Sequence, residues 1–327
     1  MRVAVLGGGR SSEHEVSLAS AAAVADGLRE GGHEVVAVEI ARDGRWRHDG
    51  QELSLAPAGG LLGADVAFPA LHGPYGEDGV VQGMLECLDV PYAGSGVASS
   101  ALCMDKVRFK ALMGAAGVPQ VAHRGVHDTH WRAEQEAVLA DCAALGLPVF
   151  VKPAHLGSSV GIAKVSDSAE LATALDAAFA HDPLAIVEAA SGGVEVECSV
   201  LGDQRPRVSP PGEIVLHSEF YDYAAKYQEG GMTLVIPARI GEQALAEVAS
   251  IAIDAFRRAD CSGLARADFF VEGDRVLLNE LNTMPGFTAT SVYAKLWESG
   301  GIPYPRLVEQ LCELGLERHA RERSYLS

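Results

Sequence analysis

The stretch from Leu264 to Gly286 constrains the fold more than any other. Leu264-Ala265-Arg266-Ala267-Asp268-Phe269-Phe270 and Leu277-Leu278-Asn279-Glu280-Leu281-Asn282 are apolar segments with charged and polar residues set into them, and Glu272-Gly273-Asp274-Arg275 lies between. Two such segments joined by turn residues are expected to form a β-hairpin. Residues two apart along a strand face the same side, so Arg266 goes with Asp268 and Glu280 with Asn282. Three oxygen-bearing side chains and one guanidinium then converge on one surface. Carboxylates and an amide are hard ligands, suited to magnesium held together with substrate phosphates. From alternation alone, an ordinary hairpin with a solvated polar face remains the alternative. Two details weigh against it. Asp268 and Glu280 stand beside apolar runs, where an unpaired charge is expensive. Asn279, Asn282, Pro285 and Gly286 also end the second strand abruptly.

A chain of 327 residues can bury a large core and should form two or three domains. With 48% hydrophobic and 21% charged residues it has the composition of a soluble globular protein. A formal charge of -18 disfavours nucleic acid or an anionic membrane surface as partner. An enzyme of this charge that binds a polyphosphate must gather its few cations locally. The six cysteines are scattered without a Cys-x-x-Cys pair, and the expectation is buried free thiols in a reducing compartment. With no signal peptide and no apolar run long enough to span a bilayer, the expected location is cytoplasmic.

In the first third, the strand Val3-Ala4-Val5-Leu6, the glycines Gly7-Gly8-Gly9, a helix over about 16–30 and the strand Val35-Val36-Ala37-Val38 form a βαβ unit, which implies a parallel sheet. A dinucleotide-binding oxidoreductase is one reading, since Gly7-x-Gly9 begins the fingerprint and Glu39 ends the second strand. Against it, Ser12 replaces the third glycine, and Glu13 and Glu15 stand where the helix begins. A helix N-terminus attracts a pyrophosphate, but carboxylates there repel a second anion and suit a cation such as an ammonium. Glu13 as a simple helix cap is the other reading. A further strand, Asp65 to Leu71, runs into His72-Gly73-Pro74-Tyr75-Gly76-Glu77-Asp78-Gly79 and a helix over 80–87, which suits a site at the carboxyl end of a parallel sheet. Pro91 to Gly96 reads as a linker.

In the middle third, Met104-Asp105-Lys106-Val107-Arg108-Phe109-Lys110 is expected on a helix ended by Gly117-Val118-Pro119, and His123, His127 and His130 in a loop. Leu147 to Pro153 followed by Ala154-His155-Leu156-Gly157-Ser158-Ser159-Val160-Gly161 reads as a β-hairpin. Its Gly-Ser-Ser tip lets backbone N–H groups approach phosphate oxygens. Lys152, ending an apolar strand, requires an anionic partner. Leu184 to Ala190 is an apolar strand carrying Glu188, and Glu195 to Leu201 alternates as another. Tyr221-Asp222-Tyr223-Ala224-Ala225-Lys226-Tyr227 lies in a long loop with the character of a lid. A helix over 242–258 is expected to pack beside the hairpin.

These motifs, in this order from Val3 to about Glu313, resemble the ATP-grasp ligases and more narrowly the D-alanine–D-alanine ligase family. The resemblance implies an α/β, three-domain ATP-grasp fold with an N-terminal parallel sheet. The domains would be a substrate-binding domain over 1–94, a central ATP-grasp subdomain over 95–192 and a C-terminal one over 193–327 with a lid at about 217–235. It implies ATP and two magnesium (or manganese) ions, with Asp268, Glu280 and Asn282 holding metal, and Lys106, Lys152, Ser159 and Lys226 meeting phosphates. Glu188 would meet the adenine amino group, Glu195 the ribose, and Phe270 the nucleotide. Glu13 would hold the first D-alanine's amino group near His72. Arg266 would stabilise the oxyanion, and Ser291 would bind the second substrate's carboxylate. Tyr227 would hydrogen-bond with Ser158 over the second substrate; relatives that make D-alanyl-D-lactate carry histidine there. In two places the chain departs from many relatives: Ala154-His155-Leu156 before the glycine, and Ala189-Ala190 after Glu188. The implied reaction joins two D-alanines through a D-alanyl phosphate for peptidoglycan precursors, usually in a homodimer. A D-lactate or other dipeptide ligase and a catalytically silent ATP-binding protein are the alternatives, and the intact acid set argues against the second.

Overall fold

The computed structural model describes residues 1–157, 161–216 and 231–325. Among these, three sheets carry the architecture. The first is built on β1 (Arg2–Gly8), α1 (His14–Glu30) and β2 (Glu34–Ile40), with Val3 opposite Val35 in parallel register. The strand β5 (Val66–Pro69) lies parallel on the other side of β1. Antiparallel β3 (Trp46–His48) and β4 (Gln51–Glu52) extend the edge beyond β2. Val3, Ala4, Val5 and Leu6 are all buried, as expected of a parallel strand covered on both faces. Gly8 has φ +90°, and a Cβ there would meet the Ile40 carbonyl oxygen at 2.4 Å, so the turn into α1 requires glycine.

The helix α2 (Val80–Leu88) follows the His72 loop. The segment read as a linker is packed: Tyr92 bridges in parallel to Ala67 and is buried. The single helix expected around Lys106 is two helices, α3 (Val97–Met104) and α4 (Lys106–Ala115). They break at Asp105, whose extended backbone lets its side chain accept the Arg108 N–H at 2.9 Å as an N-cap.

The second sheet is antiparallel, in the order β6-β9-β7-β8, from β6 (His123–His127), β7 (Val149–Pro153), β8 (Ala163–Val165) and β9 (Leu184–Ala189). The loop expected at the three histidines is instead this edge strand, paired with β9, and then the helix α5 (Asp128–Ala133). Only Val126 of the strand is buried, so its local pattern is polar and its pairing comes from β9. The helices α5, α6 (Gln135–Ala143) and α7 (Leu171–Phe179) cover the sheet through Trp131, Val138, Leu171 and Leu175.

The third sheet runs β13-β12-β10-β14-β15, with short β11 (Arg207–Val208) beside β10. Its strands are β10 (Val194–Gly202), β12 (Gly212–Leu216), β13 (Met232–Val235), β14 (Gly263–Glu272) and β15 (Arg275–Asn282). The expected hairpin is β14–β15. On one face, Ala265, Ala267, Phe269, Leu278 and Leu281 pack on the helix α8 (Glu242–Arg258), whose Ala244, Val248, Ala252, Ala255 and Phe256 form a buried stripe. A register shift at Asp268/Phe269 leaves Asn279 as the extra residue, with Asp268 opposite Glu280 but Phe269 opposite Leu278. That bulge allows Leu278 to face the core while Glu280 faces away from it.

Helices α9 (Val292–Ser299) and α10 (Tyr304–Arg323) return the chain to the first sheet. Val3, Val5 and Phe68 share one core with Leu264, Met284, Phe287, Tyr293 and Leu307. The Phe287 ring lies 5.3 Å from that of Phe68. This shared core docks the end of the hairpin beside the His72 loop. All six cysteines are free thiols; five are buried, and Cys87, against expectation, is exposed near the end of α2. No described helix is long and apolar enough to cross a membrane.

Candidate active site

The polar face of the hairpin looks into a cavity of about 850 Å³ between the second and third sheets. Arg266 stands opposite Asn282 and Asp268 opposite Glu280, so the expected common face exists. The neighbouring strand β10 adds Glu197 opposite Asp268 and Glu195 opposite Phe270. The cavity wall includes Lys106, Lys152, Glu188, Glu195, Asp268, Phe270, Glu280 and Asn282. The first-substrate residues Glu13, His72 and Ser291 stand outside this wall.

Charge is balanced pair by pair in the cavity wall and behind it, since Arg266 and Lys110 pair with lining acids without lining the space themselves. Arg266 donates from Nε and Nη2 to the two oxygens of Asp268, each at 2.7 Å, and its Nε lies 2.9 Å from Glu197 Oε2. Asn282 Nδ2 donates to Asp268 Oδ2 at 3.0 Å. Lys106 Nζ lies 3.8 Å from Glu280 and donates to the Leu156 carbonyl at 2.7 Å. Glu188 sits between Lys152, at 2.6 Å, and Lys110, at 2.8 Å. Burial alone would push the Glu188 carboxyl up; the charges of Lys110 and Lys152 overcome it and hold the group well below the usual carboxylate range. Burial likewise opposes the charge of Lys152, and Glu188, with Glu280 and Glu195 beyond it, raises its pKa.

Among the described residues, no three His, Cys, Asp or Glu gather as a metal cluster. Asp268, Glu280 and Asn282 supply two carboxylates and an amide on facing strand positions beside a lysine-lined cavity. Magnesium is held by few carboxylates plus substrate phosphates rather than by an all-protein cage, so this donor set fits it.

A second cluster lies where α1, the His72 loop and the glycine loop meet. Glu13, at the N-cap of α1, is buried, and its side chain makes no capping hydrogen bond. Its carboxylate is packed closely against Gly73: a Cβ on Gly73, where φ is +70°, would lie 2.8 Å from Glu13 Oε2, and one on Gly157 would lie 3.4 Å away. Ser11 Oγ donates to the His72 carbonyl at 2.6 Å. His72 is buried, with Nε2 2.9 Å from Ser20 Oγ and Nδ1 3.2 Å from the Met284 carbonyl. Burial lowers its pKa, against the opposing pull of Glu13 and the Met284 carbonyl, so the ring is neutral. Glu77, which also lines the cavity, accepts the Gly73 N–H at 2.8 Å. Burial, and then the charge of Glu13, push its carboxyl up to about 8. Ser291 is the residue before α9, where its side chain makes no capping bond but accepts the Thr288 N–H at 3.0 Å. Ser158, Ser159, Lys226 and Tyr227 lie outside the described residues.

Sequence reasoning did not single out Lys110, Glu197 or Glu77. Glu197 was legible, two residues from Glu195 on a strand of the right alternation. Glu77 lay in the glycine-rich loop. No local signal separates buried Lys110 from a surface lysine.

Two family models match the chain. The D-ala D-ala ligase N-terminus matches residues 2–60 and 55–95, and the D-ala D-ala ligase C-terminus matches residues 112–313. A D-alanine--D-alanine ligase of Deinococcus radiodurans is 46% identical, with 97% of this chain and 98% of that protein covered. One of Bacillus velezensis is 41% identical over 96% and 98%. The solved D-alanine-D-alanine ligase of Coxiella burnetii superposes with a TM-score of 0.89 at 34% identity, over 100% of this chain and 97% of that one. The VanG D-Ala:D-Ser ligase of Enterococcus faecalis does so with 0.85 at 33%, over 96% and 99%. Matched over nearly its whole length by sequence and by fold, the chain belongs to the D-alanine–D-alanine ligase family.

Proposed function

We propose that the protein joins two D-alanines to D-alanyl-D-alanine at the expense of ATP, through a D-alanyl phosphate. The observation that carries the reading is the cavity itself. One space gathers the lysines Lys106 and Lys152 with the oxygen face of Asp268, Glu280 and Asn282, and Glu13 lies beyond the glycine loop from it. A polyphosphate needs the first two sets, and an amino acid's ammonium needs the third. A carboxylate oxygen of the first D-alanine attacks the γ-phosphorus and ADP leaves. The amine of the second attacks the acyl carbon, phosphate leaves, and the amine gives up a proton.

Placement supports a part for each described residue, and the family pattern alone supports those of Ser158, Ser159, Lys226 and Tyr227. Phe150, Ala189, Ala190 and Phe270 offer the adenine apolar walls, with Glu188 at its amino group and Glu195 at the ribose. Lys106 and Lys152, already holding acids, exchange those partners for phosphate oxygens, as do Ser159 and Lys226. Magnesium or manganese held by Asp268, Glu280 and Asn282 neutralises phosphate charge when bound. Glu13 holds the first ammonium beside neutral His72. Arg266 faces the developing oxyanion, where a preorganised donor is worth most. Tyr227 and Ser158 close over the second substrate, whose carboxylate reaches Ser291. We take residues 1–94, 95–192 and 193–327 as the three domains, and the enzyme as a cytoplasmic homodimer serving peptidoglycan precursor synthesis. The D-Ala:D-Ser neighbour keeps a second-substrate alternative in view.

The test is incubation with ATP, magnesium and a panel of D- and L-amino acids and D-lactate, reading phosphate release and product mass. D-Alanine is expected to give phosphate and D-alanyl-D-alanine. Absence of phosphate release with every D-amino acid would overturn the reading, and a preference for D-serine or D-lactate as acceptor would correct its second half.

A further inference from the structure

His155 lies two residues before Gly157, at the stem of the glycine loop, and the reaction above assigns it nothing. Its ring is held at both nitrogens by carboxylates. Nδ1 is 2.9 Å from Asp182 Oδ2 and 3.0 Å from Oδ1, and Nε2 is 2.9 Å from Asp105 Oδ2. Its backbone N–H donates to Asp182 Oδ2 at 2.7 Å. Both aspartate side chains are buried, while the imidazole is 38% exposed. An ionised carboxylate only accepts, and a neutral imidazole has one N–H. A neutral ring here would turn a nitrogen lone pair toward a carboxylate; an imidazolium satisfies both. Its hydrogen bond to Asp182 is the main cause that raises the His155 pKa, against partial burial and with Asp105 adding. Asp182 is lowered in return: its bond to His155, with the N–H groups of Leu184 and His155, outweighs its own burial.

The two aspartates anchor different elements. Asp182 lies in the turn before β9 and also accepts the Leu184 N–H at 2.9 Å. Asp105 caps α4 and pairs with Arg108. The first residue of α4 is Lys106, which donates its backbone N–H to the Ala154 carbonyl at 3.2 Å and its ammonium to the Leu156 carbonyl at 2.7 Å. The stem on either side of His155 is therefore fastened to the lysine that faces the cavity. The charged groups facing the imidazole are Asp105 and Arg108 from α4, Asp182 from the turn, and Asp78 across a small cavity lined by His155, Arg108 and Met104.

We propose that His155, as an imidazolium bridging Asp105 and Asp182, is a positioning residue for ATP. It locks the stem of the glycine loop against Lys106, and its deprotonation loosens that stem. The inference rests on the nucleotide reading of the cavity. The clamp is complete below the ordinary histidine range near pH ~6.5 and is lost as pH rises through the raised value in the folded protein.

The test measures the Kd of the full-length protein for magnesium ATP by calorimetry between pH 5.5 and 9, with the His155 ring followed by NMR. The wild type should bind ATP more weakly as pH rises through the ring's titration, by about fivefold or more. His155→Gln should bind weakly at every pH, without that limb. His155→Arg, which keeps a charge that does not titrate here, should bind tightly at every pH. A ring that titrates at or below pH ~6.5 overturns the proposal, as does a His155→Gln variant that keeps the wild-type pH limb. A merely structural histidine would shift all affinities without removing the limb. If the wild type binds no ATP at all, the nucleotide reading falls, and the ring titration still decides whether the clamp exists.

Discussion

The nucleotide cavity and the corner around Glu13 handle charge in opposite ways. In and behind the cavity wall, cations stand on the acids: Arg266 on Asp268 and Glu197, Lys106 on Glu280, and Lys110 and Lys152 on Glu188. In the corner, acid stands against acid: burial and then the Glu13 charge push Glu77, which lies where the corner opens on the cavity, up to about 8. Burial lowers the pKa of His72 there and keeps the ring neutral. The difference teaches what each space awaits. A cavity whose lysines and acids neutralise one another can trade partners, giving lysines to phosphates and acids to magnesium, without ever exposing a bare buried charge. A corner where two carboxyl groups compete gains most from an arriving ammonium.

The largest expected effect breaks the cavity's side of the comparison. Glu280→Gln should lower kcat by on the order of 10³-fold or more, since it removes a ligand rather than an outer-shell group worth about 10–100-fold. The melting temperature should stay close to that of the wild type. Wild-type turnover of this variant at low magnesium would remove Glu280 from the metal site. Next in size, Arg266→Met should lower kcat by about 10²–10³ with little change in the KM for ATP. A large rise in that KM with kcat preserved would make Arg266 a nucleotide-binding residue, and the exchange of partners would fail for it.

The smallest effect sharpens the corner's side. Folded, Glu77 keeps its proton to about pH 8, against an ordinary value of 4.5. The folded state therefore carries more protons than the unfolded one across that window, and stability falls as pH rises through it, levelling above pH 8. Glu77→Gln cannot ionise and should lose this slope. Thermal melts without metal or substrate should show the variant gaining on the wild type between these pH values. Parallel curves would mean that the corner does not strain its carboxyl groups, and the contrast with the cavity would disappear.

How much of this was legible follows from where each signal lives. The hairpin was, because alternation and a short turn are local, but the turn alone would pair Asp268 with Asn279, and it is the bulge that sets Asp268 against Glu280. The bulge at Asn279 was not, although Leu278 and Leu281 sharing one core at a spacing of three is its trace in the sequence. The edge strand His123–His127 was hidden because its hydrogen bonds come from β9, some sixty residues on, while its side chains remain polar. The break at Asp105 was hidden for a related reason: an aspartate within a helical run reads as surface until its capping bond is seen. Lys110 was invisible because its partner, Glu188, arrives from another element. Long-range pairing supplied what local pattern could not.

The central claim is that the cavity transfers the γ-phosphoryl group to a carboxylate whose ammonium rests in the acidic corner. Nucleotide analysis during turnover with D-alanine, ATP and magnesium tests it most directly. The expected result is ADP, phosphate and D-alanyl-D-alanine in equal amounts, all lost together in Glu280→Gln. Formation of AMP and pyrophosphate instead would mean that the carboxylate is activated as an adenylate, and would contradict the assignment of the lysines and the acid face to a transferring γ-phosphate.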